Sequence, residues 1–142
     1  MSDPKVDCEA LLNSVLPFAV EMLSAHGEFF PFGQAMRSDG QIVAATSYAG
    51  EDHPKSNDSI ALIRQGFVAA ARNGDYRATA IAYAVGIRLP PDGAASDAVA
   101  VSLDHRNGYT VVVYVPYKFE GGAVTLGTTL AEEGEASVFP DR

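Results

Sequence analysis

Each of the three histidines in this chain stands near a carboxylate, and each pairing is a possible piece of acid–base or metal chemistry. Asp104-His105-Arg106 offers a base with an acid that can orient it. Neighbours on a strand point to opposite sides, however, so Asp104 and His105 are expected to diverge, with the polar run explained by the turn that follows. Glu51-Asp52-His53 offers two carboxylates and an imidazole to a metal or a proton transfer. Adjacent side chains diverge there too, and the spacing fits a solvated turn whose acids sit ahead of a helix N-terminus. The one multi-residue site that can be assembled across distance joins His26, Glu28 and His105, a ligand-binding or acid–base group that requires the end of the first helix to lie beside the open end of a strand.

The remaining chemistry is thin. Cys8 falls on an apolar stripe, where a free thiol acts as a small hydrophobe, and a single cysteine cannot close an intrachain disulfide. Gly-x-Ser-x-Gly, Gly-x-Gly-x-x-Gly, phosphate-loop, His-Glu-x-x-His and Cys-x-x-Cys patterns do not occur. No catalytic residue, cofactor or metal is therefore assigned. Phe29, Phe30 and Phe32 with Pro31 and Gly33 can line a pocket or wedge a helix end against a sheet, and Tyr109, Tyr114 and Tyr117 bury rings while keeping their hydroxyls wet. Packing is the expected use of both groups.

The elements that position these residues follow from periodicity. From Asp7 to about His26 apolar residues recur at three- and four-residue steps, which predicts a helix with Asp7 at its start, Pro17 bending its middle and Gly27 closing it. Phe30 to Met36 and Gln41 to Tyr48 flank Ser38-Asp39-Gly40 as a hairpin. A second helix, capped by Ser56 or Asp58, runs to about Asn73 with Ile60, Ile63, Phe67, Ala70 and Ala71 on its buried stripe. Tyr76 to Leu89 alternates between large side chains and alanines, a long strand with a large face and a small one. Asp97 to Asp104 and Tyr109 to Lys118 form a hairpin about Asn107-Gly108, read as a type I′ turn. A last short strand is expected around Val124 to Leu130, with an acidic tail from about Ala131 that carries Val138 and Phe139.

That turn type fixes a register in which Leu103 faces Val112, Val101 faces Tyr114 and Val99 faces Pro116. The opposite face then carries Ala100, Val111, Val113 and Val115, too apolar for a solvated surface, and these four are the expected interface residues. The order α-β-β-α-β-β-β-β predicts one α+β domain over residues 1–142, with both helices on one face of a mostly antiparallel sheet.

Eighteen acidic against ten basic side chains, a formal charge of -8, repel nucleic acid and anionic lipid. A start of Met-Ser-Asp-Pro-Lys and interrupted apolar runs predict neither a secretory signal nor a membrane span, hence a cytoplasmic protein. The segments Phe29-Phe30-Pro31-Phe32-Gly33 and Leu103-Asp104-His105-Arg106-Asn107-Gly108-Tyr109, with Val112, Tyr114, Pro116 and Tyr117 after them, resemble a family of small bacterial proteins to which no activity is attached. The element order is similar to that of profilin-like and roadblock-like domains, an analogy of architecture alone. The expectation is a non-catalytic interaction module, a homodimer or a binder of another protein; the alternative is a small-molecule binder or small enzyme with a pocket near His105.

Overall fold

A computed structural model describes residues 3–29, 31–46, 56–89 and 92–134. It is an α+β fold in which two helices pack against a seven-stranded antiparallel open sheet. The elements are α1 (Pro4–His26), β1 (Phe32–Arg37), β2 (Ile42–Thr46), α2 (Ser56–Arg72), β3 (Tyr76–Leu89), β4 (Ala94–His105), β5 (Thr110–Glu120), β6 (Ala123–Leu126) and β7 (Leu130–Glu133). The sheet order is β2-β1-β3-β4-β5-β6, with β7 also on β5. Ala131 to Glu133, expected as the start of a tail, pair with Val113 to Val111 instead. Strands β6 and β7 thus share the outer edge of β5, separated where Gly127 donates to the Pro116 carbonyl at 2.7 Å.

Helix α1 begins three residues earlier than its apolar stripe suggests. Asp3 is the N-cap, its carboxylate accepting from the Lys5 amide at 3.0 Å, and Pro4 occupies the first turn, where a missing N–H costs nothing. Asp7 therefore lies inside the helix and is buried. Gly27, at φ 74°, closes the other end. The helix runs through Pro17 without a break. By length and composition it is apolar enough to cross a membrane, contrary to the reading of interrupted runs; here one side of it lies on the sheet, and 28% of the apolar stretch is buried.

The two helices do not share a face of the sheet. Ala78, Ala80 and Ala82 pack with Leu11, Val15 and Ala19 of α1, whereas Ile81, one residue out of step, packs with Ile63 and Phe67 of α2. Successive strand residues point to opposite sides, so α1 and α2 cover opposite faces. The reason is the connection: β2 and β3 flank β1, both antiparallel to it, and α2 carries the chain from one to the other across the face away from α1. Small residues admit it. A Cβ on Gly33 would stand 2.8 Å from the Phe67 ring and 2.9 Å from Ile63, and Ala35 beside it is fully buried.

The β4–β5 hairpin departs from the expected register by one residue. The Gly108 amide donates to the His105 carbonyl at 3.0 Å, the His105 amide donates to the Tyr109 carbonyl at 2.9 Å, and Gly108 alone in the turn has positive φ, at 92°. A type I′ turn needs positive φ at Asn107 as well, and among the described residues no non-glycine has it. The connection is thus three residues, Arg106 to Gly108, and the pairs become Leu103 with Val111, Val101 with Val113 and Val99 with Val115. A one-residue slip turns every β5 side chain to the other face. Val113 and Val115 consequently lie buried in the core with α1, with Val111 packed at its margin, while Ala100 looks to the other side between Tyr83 and Tyr114.

Candidate functional site

The residues with most chemical potential meet at the first turn of α1. His105, the last residue of β4, has no exposed surface, and its Nε2 lies 2.9 Å from Asp7 Oδ2. The Asn107 amide donates to His105 Nδ1 at 3.1 Å. A nitrogen that accepts from an amide carries no proton, so Nε2 holds the hydrogen and donates it to Asp7. Arg77 of β3 places Nη1 3.8 Å from the other Asp7 oxygen and donates through Nη2 to the Ser38 carbonyl, while the Arg106 amide donates to the Arg77 carbonyl at 2.9 Å. The group ties the start of α1, the β1–β2 turn and the β4–β5 turn into one end of the molecule.

Chemically this is a fastening and not a reaction centre. Both ring nitrogens of His105 are engaged and neither faces solvent, so no substrate proton comes within hydrogen-bond reach. Asp104, as its place on the strand predicts, points to the opposite face, across from Thr79. Cys8, the next residue of α1, is 2% exposed, and burial first, with the charges of Asp7 and Asp104 after it, pushes its thiol up to about 12. It stays protonated and unreactive.

His26 and Glu28 are not brought to His105. They stand at the far end of α1, roughly 28 Å along the helix axis from the turn that His105 touches, and both are exposed. The expected three-residue site is therefore dispersed. The partner of His105 is Asp7, which its place as an acid ahead of an apolar run marks as a helix cap; Asp3-Pro4 one turn earlier is the signal that frees Asp7 for other use. Glu51-Asp52-His53 lies outside the described residues. Among the described residues no three metal-ligating side chains gather.

The expected interface residues are likewise relocated. Val113 and Val115 are 6% and 2% exposed and Ala100 is fully buried, so these three offer no surface to a partner, and Val111 is only half-buried. On the α2 side, an open cleft of about 400 Å³ remains over the sheet, lined by Val85, Ile87, Tyr114, Leu130 and Glu132. Tyr114 donates to Glu132 there at 2.6 Å, a bond that, with some burial, pushes its hydroxyl up to about 12. The aromatic wedge is real: the Phe18 and Phe32 rings meet edge to face with centroids 4.8 Å apart, Phe29 and Phe32 at 6.0 Å. Phe30 lies outside the described residues. The large apolar side chains left exposed include Val6 at 57% and Phe18 at 44% on α1, Leu62 on α2, and Phe119 and Leu126 on the β5–β6 edge.

Comparison with protein-family models, with curated proteins and with solved structures finds no match to this chain.

Proposed function

We propose that this chain is a non-catalytic interaction module that presents the outer side of α1 to another protein surface. The observation that carries the reading is the character of α1. A helix that lies on a sheet needs one apolar side and gains solubility from a polar one. Over 23 residues α1 has Lys5, Asp7, Glu9, Glu21 and His26 as its only ionisable side chains besides Cys8, and Asp7 is turned inward. Val6, Ala10, Pro17, Phe18 and Val20 remain exposed or half-exposed. A side this poor in charge, on a chain whose net charge is -8, suits burial against a partner. The engagement of His105 in the fold supports a binding role over a chemical one.

A charge placed on this side of α1 tests the reading. Val6→Asp, at a residue that is 57% exposed, leaves helix content and thermal midpoint near those of the parent and weakens association, read as solution mass across a concentration series. Leu62→Asp puts the same charge on α2 and changes nothing. Equal association by parent and Val6→Asp proteins contradicts the proposal.

A further inference from the structure

We draw no further inference here: the strongest candidate, the open cleft of about 400 Å³ over β3, β5 and β7 on the α2 side of the sheet, is an apolar face whose one carboxylate, that of Glu132, already accepts from the Tyr114 hydroxyl, and nothing in the structure shows what covers it.

Discussion

A histidine with no exposed surface holds its place only if each polar atom has a partner, and His105 meets that condition with Asp7 on one nitrogen and the Asn107 amide on the other. Removing the ring leaves the buried Asp7 carboxylate with Arg77, 3.8 Å away, in place of a close hydrogen bond. His105→Ala is expected to cost on the order of 3 kcal/mol of stability, read as the midpoint of urea unfolding. His105→Gln carries an amide N–H near the Nε2 position, retains the bond to Asp7, and should cost about 1 kcal/mol. Equal losses for the two variants would mean that packing, and not the hydrogen bond, is what the imidazole supplies. At Cys8 the expectation is kinetic. With its thiol pushed up to about 12 by burial, iodoacetamide near pH 8 leaves the native protein unlabelled and labels it in urea. The sign for stability follows: a folded value above that of the open chain favours the protonated folded state below about 9 and loses that advantage as pH rises toward 12. Rapid native labelling would show that the first turn of α1 opens.

Among the elements, the tightest fit is that of α2 over β1. The Phe67 ring occupies the space where any side chain at position 33 would project, which is why a glycine stands in a strand that otherwise has no use for one. Gly33→Ala forces the ring or the helix aside and is expected to cost about 2 kcal/mol, visible as a lowered thermal midpoint; an unchanged midpoint would mean that α2 shifts freely on the sheet. Element type and order were largely legible from periodicity: both helices, the large-and-small alternation of β3 and the Ser38-Asp39-Gly40 hairpin can all be read from spacing. Two features were not. Asn-Gly admits both a two-residue and a three-residue connection; here the three-residue turn has the Asn107 amide on His105 Nδ1, and the ring is held in turn by Asp7, a contact across 98 residues that no local pattern carries. The face chosen by α2 was equally hidden, because alanines on one side of β3 and Ile81 and Tyr83 on the other permit a helix on either. The site suffered from the register and from a third feature, the cap: a slipped register turns Val111, Val113 and Val115 outward, and a cap placed at Asp7 and not at Asp3 conceals the partner of His105.

At the scale of the whole molecule, the valine-rich face of the sheet is covered within the chain, and the exposure shifts to the outside of the helix that covers it. One side of α1 completes the core through Leu11, Val15 and Leu23, and the other leaves Val6 and Phe18 exposed. On the reading proposed above α1 has two roles, one in folding and one in association, and only the second is separable by surface substitution. Sedimentation equilibrium of the parent protein from low micromolar to near-millimolar concentration tests this most directly. The predicted result is a reversible approach to twice the 15.0 kDa chain mass, shifted to higher concentration by Val6→Asp and unaffected by Leu62→Asp. A single species at the chain mass throughout, the same for all three proteins, would contradict it.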